Sequence, residues 1–202
     1  MKLENERFKL RHITLEDAED IFEYATDPDT GPRAGWQPHK NIEETRNLIK
    51  YWLSVKLKDE EFVVVHKQDN KVIGTMGVTF YNISPEDSKG EVIDNLMSQG
   101  KKCYEIGITL SKKYWGKNIA TETLGMMIDY LFEDRQADLV VTAHFEENIG
   151  SKRAQEKNNM KVLYTMQREE KWYNTNCNTM VVRAKTREEW LAEKENELEQ
   201  GE

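Results

Sequence analysis

The chain has 202 residues, enough for one domain with a sizeable core and too few for two full ones. Hydrophobic residues make up 38% and charged residues 33%, a balance that excludes a disordered chain while requiring a heavily solvated surface. The 37 acidic side chains outnumber the 29 basic ones and leave a net charge of −8, which argues against a nucleic-acid partner, because phosphate backbones select basic surfaces.

No apolar run approaches the ~20 residues that span a bilayer, so no membrane association is expected. The opening MKLENERFKL lacks the apolar core of a signal peptide. The two cysteines, Cys103 and Cys177, then read as free thiols in a reducing compartment, and the expectation is a cytoplasmic protein.

Phe8 and Leu10 alternate with charged residues and predict a first strand over Arg7–His12. Thr14 is placed to cap a helix, with Asp17 three residues on and Leu15, Ala18, Phe22 and Ala25 on one face. Its prolines and glycines mark DPDTGPRAGWQPHK (27–40) as a loop. Asn41 caps a second helix, with Glu44 at its third position and Leu48, Ile49, Trp52 and Leu53 apolar. EFVVVHK and VIGTMGVTF, joined by QDNK, form a hairpin of β-branched runs. Residues 82–102 form a polar insertion, with a short helix expected over Val92–Met97.

A strand over Cys103–Leu110 leads into KKYWGKN, and the next helix carries Ala120, Leu124, Met127, Ile128 and Leu131 at 3.6-residue spacing. DLVVTAHF is a short apolar strand, and SKRAQEKNN a short helix that Asn148 or Ser151 can cap. Two more strands fit Lys161–Gln167 and Thr179–Ala184, with the turn YNTNCN between them, and residues 186–202 form a helix ending in an acidic tail. Strands in runs with helices interposed indicate a mixed α+β sheet in one domain rather than a regular βαβ repeat.

The chemistry concentrates in KYWGKNIATETL (113–124), where a strand enters, Gly116 turns the chain and a helix leaves. The first N–H groups of a helix lack intrahelical partners and lie at the positive end of its dipole, so they bind phosphate readily. Lys112, Lys113 and Lys117 add positive charge there in an otherwise acidic chain. The spacings of a P-loop and of a dinucleotide fingerprint are both absent. On spacing alone, a structural helix entry and a phosphate cradle stand level.

CYEIGITLSKKYWGKNIATETL resembles the coenzyme A pyrophosphate segment of the GCN5-related N-acetyltransferase (GNAT) superfamily, and more narrowly its ribosomal-protein N-terminal acetyltransferase branch. Lys113, Gly116 and Asn118 occupy the positions of the pattern Arg/Gln-x-x-Gly-x-Gly/Ala, of which only the glycine is matched. ENIGSKRAQEKNNMK resembles a second element of the family, Asn-x-x-Ser-x-Arg…Glu-Lys-x-Gly-Phe. Asn148, Ser151, Arg153, Glu156 and Lys157 fit it, and Asn159-Met160 replaces Gly-Phe. Asparagine at that helix exit can still take the left-handed conformation that glycine would supply.

The resemblance implies a GNAT fold, with a mostly antiparallel twisted sheet splayed between its fourth and fifth strands. It implies direct attack of a primary amine, from a protein N-terminus or a small molecule, on the thioester of acetyl-CoA. A side-chain lysine acceptor, or a non-catalytic coenzyme A-binding protein on the same fold, stand as alternatives. The backbone over Ile106, Ile108 and Leu110 would hold the acetyl and pantetheine groups. Lys113, Trp115, Gly116, Lys117, Asn118, Ile119 and Ala120 would form the diphosphate turn, Trp115 reading also as a packing anchor beneath it. Asn148 and Arg153 would contact the cofactor arm.

Ser151 matches the serine assigned to protonate the leaving thiolate, with helix capping as its structural alternative. Glu170 matches a base acting through water, ahead of Glu105 on the fourth strand. Trp36 and His39 would line the acceptor site. The histidines show no metal-ligand spacing, so no metal is expected. Of self-association only the resemblance speaks, and it implies a homodimer.

Overall fold

The computed structural model describes residues 3–54, 60–80, 95, 99–167 and 179–200. Strand β1 (Phe8–His12) is followed by helices α1 (Ala18–Ala25), α2 (Thr30–Ala34) and α3 (Ile42–Ser54). Strands β2 (Glu60–His66), β3 (Lys71–Phe80) and β4 (Cys103–Leu110) come next, then helix α4 (Ile119–Glu133). Strand β5 (Leu139–Phe145), helix α5 (Ile149–Lys157), strands β6 (Lys161–Gln167) and β7 (Thr179–Thr186) and helix α6 (Arg187–Gln200) complete the order.

The strands form one seven-stranded sheet in the order β1-β2-β3-β4-β5-β7-β6. Every neighbouring pair is antiparallel except β4 and β5. That parallel pair runs only from Cys103↔Leu139 to Ile106↔Thr142. Gly107–Leu110 stay in register with β3 but have no partner on β5. The expected splay between the fourth and fifth strands is this early end of the ladder.

Alternation divides the sheet into two faces, because partners across a ladder share a face. One face carries Phe62, Val64, Met76, Ile106 and Val140, packed under Leu124, Met127, Ile128 and Leu131 of α4 and Trp190 of α6. The other carries Val63 and Val72 against Ile21 and Tyr24 of α1 and Ile49 of α3. Glu61, Gly77 and Gly107 stand in register on this second face, as do Thr79 and Glu105.

Two expectations are corrected. The stretch 27–40 is not loop throughout, for it holds α2: Pro32 sits in its first turn, where no amide is needed, and Gly35 ends it at φ 89°. The first helix starts as a 3₁₀ turn over Leu15–Asp17, so the phase of its apolar face shifts. Leu15 is consequently exposed, and Ala18, Ile21, Tyr24 and Ala25 are the buried residues. Thr14 and Asp17 do meet as expected, the Thr14 amide donating to the Asp17 carboxylate at 2.8 Å. Asn41 caps α3 by accepting from the Glu44 amide at 3.1 Å. Of the short helix expected over Val92–Met97 only Asn95 is among the described residues, and the turn YNTNCN, with Cys177, lies outside them. Cys103 is fully buried, and burial pushes its thiol up to about 11, which leaves it inert as a nucleophile.

Candidate active site

Where β4 and β5 part, two cavities open. The first, of about 350 Å³, lies between the end of β4, the start of α4, α5 and α2. The second, of about 540 Å³, lies on the α1/α3 face of the sheet. Arg33, Ala34, Ile108, Thr109, Asn148 and Ser151 line both, so the two spaces meet at the seam.

The floor of the first cavity is the turn singled out in the sequence. Gly116 has φ 75°, and the space where its side chain would stand is open to 4 Å. Asn118 follows at φ 64° and is the N-cap of α4. Few residues other than glycine accept that conformation, and asparagine is one that does. The first intrahelical bond of α4 runs from the Glu122 amide to the Asn118 carbonyl at 3.1 Å. The amides of Ile119, Ala120 and Thr121 therefore lie outside the ladder, at the positive end of a 15-residue helix. The indole of Trp115 donates to the Leu110 carbonyl at 2.8 Å, which pins the turn to the end of β4, and Trp115 also lines the cavity.

The cations at this site differ from those the sequence suggested. Lys113 donates to Glu23 at 2.7 Å, and Lys112 pairs with Asp29. Lys117 lies over the Tyr114 ring, 5.0 Å from its centroid. None of the three lines either cavity. Arg33, Arg153 and Lys157 do line the first. Lys157 Nζ donates to Asn118 Oδ1 at 2.9 Å, and Arg33 stacks over Trp115 at 5.1 Å. The sequence does not single out Arg33, because its segment reads as a loop and its place on α2 is set by the fold. Lys157 stands out in the sequence only as part of a motif.

Leu110, Trp115, Gly116, Asn118, Ile119 and Ala120 line the first cavity, together with Arg153 and the shared Ile108, Asn148 and Ser151. Ile106 lines neither cavity, being the last β4 residue in register with β5 and 1% exposed in the core. Asn148 caps α5, its Oδ1 accepting from the Ser151 amide at 3.2 Å. Its own amide group reaches the Arg33 carbonyl at 3.3 Å, tying α2 to the seam.

Glu61, Thr75, Thr79, Glu105 and Tyr24 line the second cavity, as do Trp36 and His39. The rings of Trp36 and His39 lie 5.3 Å apart, and His39 Nδ1 is 2.7 Å from Thr45 Oγ1. Burial holds the His39 pKa below its usual value, favouring the neutral ring. Trp36 packs on Gly31, where a Cβ would come within 2.6 Å of the indole. Glu170 lies outside the described residues, whereas Glu105 is half-buried on the cavity wall. No cluster of metal-ligating side chains occurs among the described residues.

A family model for the acetyltransferase (GNAT) domain matches residues 7–161. The chain belongs to the GNAT acetyltransferase family. It is 30% identical over 132 residues to an uncharacterized N-acetyltransferase p20 of Bacillus licheniformis, a match spanning 64% of this chain and 65% of that protein. Among solved structures it is similar to the ribosomal-protein-S5-alanine acetyltransferase of Vibrio fischeri, with TM-score 0.68 and 20% identity over 94% of this chain and 98% of that one. It is similar also to the spermidine N-acetyltransferase of Vibrio cholerae solved with CoA and spermine, with TM-score 0.71 and 16% identity over 93% and 99% of the two chains. At such identities these likenesses show the GNAT fold alone, and a protein-directed and a polyamine-directed enzyme match it about equally well. No helix among the described residues is long and apolar enough to cross a membrane.

Proposed function

We propose that this protein transfers the acetyl group of acetyl-CoA to a primary amine, carried by a protein N-terminus or a small molecule, by direct attack. The observation that carries the reading is the meeting of the two cavities at Asn148 and Ser151, where β4 leaves β5. One cavity offers helix amides and cations to an anionic cosubstrate, and the other offers carboxylates to an amine. The open space beside Gly116 and the free first amides of α4 fit a diphosphate. Arg153, Lys157 and Arg33 would surround it with positive charge. The backbone of Gly107–Leu110, paired with β3 but without a partner on β5, would position the pantetheine arm and supply a donor to the acetyl oxygen. When bound, acetyl-CoA supplies an activated acyl group and a thiolate leaving group.

In this reading Glu105 holds the incoming ammonium in the second cavity and takes its proton. An α-amine, of pKa about 8, needs less help than a lysine side chain at about 10.4. Ser151 Oγ–H gives its proton to the departing sulfur as the carbon–sulfur bond breaks. Nitrogen loses two protons in all, the first taken from the ammonium by Glu105 and passed to solvent and the second lost as the amide forms, while sulfur gains one through Ser151, which solvent reprotonates, so that one proton is released overall. Trp36 and His39 shape the acceptor entrance.

The test is thermal stabilisation by acetyl-CoA, followed by thiol release against a panel of N-terminal peptides, lysine side-chain peptides and polyamines. Stabilisation without turnover on any of them would replace the enzyme with a coenzyme A-binding protein. Turnover on blocked-N-terminus lysine peptides alone would move the activity to side chains. Glu105→Gln should lower kcat/KM most at low pH, where the amine is most protonated.

A further inference from the structure

Gln155 is an unusual residue to find inside α5. It is 1% exposed and packs toward the sheet face that Thr142 and His144 share. A buried amide in place of an aliphatic side chain is costly unless its polar atoms are used. Here Nε2 donates to Ser151 Oγ at 3.0 Å and lies 3.5 Å from Thr142 Oγ1, while Oε1 has no hydrogen-bond partner among the described residues. The amide is held where it serves the serine, even though its own carbonyl is left unsatisfied.

A serine hydroxyl has one proton and two lone pairs. In a helix that proton commonly turns back to the carbonyl four residues earlier. Ser151 stands in the first turn of α5, where the residue four positions earlier, Glu147, precedes the helix and offers no such bond, and its oxygen accepts from Gln155. With one lone pair occupied from the helix side, the proton is free to point into the junction of the two cavities, which Ser151 lines. The helix that carries both residues is fixed at each end. Asn148 caps it, and Arg183 clamps its far end by donating to Glu156 at 2.7 Å and to the Met160 carbonyl at 2.9 Å.

We propose that Gln155 is a positioning residue that fixes Ser151 as an acceptor toward the helix and so aims its proton at the sulfur of coenzyme A. The proposal rests on the reading of Ser151 as the donor to the leaving thiolate, and it adds the device that orients that donor. Its consequence is measurable at equilibrium, with no acceptor present. A serine that donates to a bound thiolate lowers the pKa of that thiol, because a hydrogen bond to the charged form favours it.

The experiment titrates the short-wavelength ultraviolet thiolate absorbance of the protein–coenzyme A complex against pH, with the free protein subtracted. In the native protein the bound thiol should ionise below free coenzyme A. Ser151→Ala should raise its pKa by about one unit, a tenfold loss of thiolate at a given pH. Gln155→Met should raise it by at least half as much, and Gln155→Glu, which accepts rather than donates when ionised, should do the same. The double variant Ser151→Ala with Gln155→Met should titrate like Ser151→Ala alone. If Ser151→Ala shifts the titration and both Gln155 variants leave it in place, the positioning role is overturned and the serine's role stands. An unmoved titration in Ser151→Ala overturns the serine's role and this proposal with it. Should Gln155→Met melt early, the isosteric Gln155→Glu decides.

Discussion

Lys157, in the last turn of α5, donates to the side chain of Asn118, the left-handed residue that opens α4, at 2.9 Å. One contact thus joins the two segments that carry the family resemblance. It steadies the turn and brings a cation to the mouth of a helix N-terminus. Lys157→Met should weaken coenzyme A about tenfold, or about 1.4 kcal/mol, as expected for losing one charge-assisted contact to phosphate. Calorimetric titration at two salt concentrations should show the loss shrinking as salt rises. Lys113→Met should change coenzyme A affinity far less, since Lys113 is already committed to Glu23 and lies outside the cavity.

Asn118 itself separates conformation from chemistry. At φ 64° glycine fits without strain and a β-branched residue does not. Asn118→Gly should change unfolding stability by less than about 1 kcal/mol, and Asn118→Val should cost about 1–3 kcal/mol. Urea unfolding of the two variants checks this. Equal losses would mean that the side-chain bond to Lys157, and not the backbone, is what the position requires.

Much of this site is legible in the sequence, and the parts that are not share a cause. Glycine and asparagine at helix ends announce a turn, because few residues accept positive φ, and Gly116 and Asn118 before α4 and Asn159 after α5 all adopt it. The apolar periodicity of the long helix likewise finds its face. By contrast, the pairing of Lys112 and Lys113 with Asp29 and Glu23 joins residues more than eighty positions apart, and local charge counting cannot see it. The same holds for α2, whose proline and glycine mean "loop" in isolation and "first turn" and "cap" in place. The division of cavities by sheet face depends on register, which only the paired strands reveal.

Acid should weaken the fold through Asp17. Its carboxylate accepts from Arg11 at 2.6 and 2.8 Å and from the Thr14 amide at 2.8 Å. Burial alone would raise its pKa, but these bonds outweigh it and hold the group below its ordinary 3.8. A depressed carboxylate stabilises the fold fully above its unfolded pKa, and that contribution is lost as pH falls through the lower, folded value. Asp17→Asn should therefore cost about 1–2 kcal/mol near neutrality and progressively less below about pH 4. Urea midpoints measured from neutral pH down to about pH 3 give the two curves, which should converge toward the acid end.

Two glycines of β3 should answer differently to the same added methyl group. At Gly74 a Cβ would meet the Thr109 carbonyl at 2.3 Å and Leu110 Cδ2 at 2.6 Å. Backbone cannot yield there without disturbing the end of β4, so Gly74→Ala should destabilise by about 2–3 kcal/mol and weaken coenzyme A binding as well. At Gly77 the nearest atom is Glu61 Oε1 at 2.7 Å, the tip of a flexible side chain. Gly77→Ala should therefore fold within about 1 kcal/mol of the native protein while displacing a carboxylate from the wall of the second cavity. Because that cavity is where the amine would enter, the expected signature is a raised KM for the acceptor with coenzyme A affinity unchanged. A Gly77→Ala variant that bound coenzyme A several-fold more weakly, with an unaltered acceptor KM, would show that the two cavities do not divide the substrates as drawn.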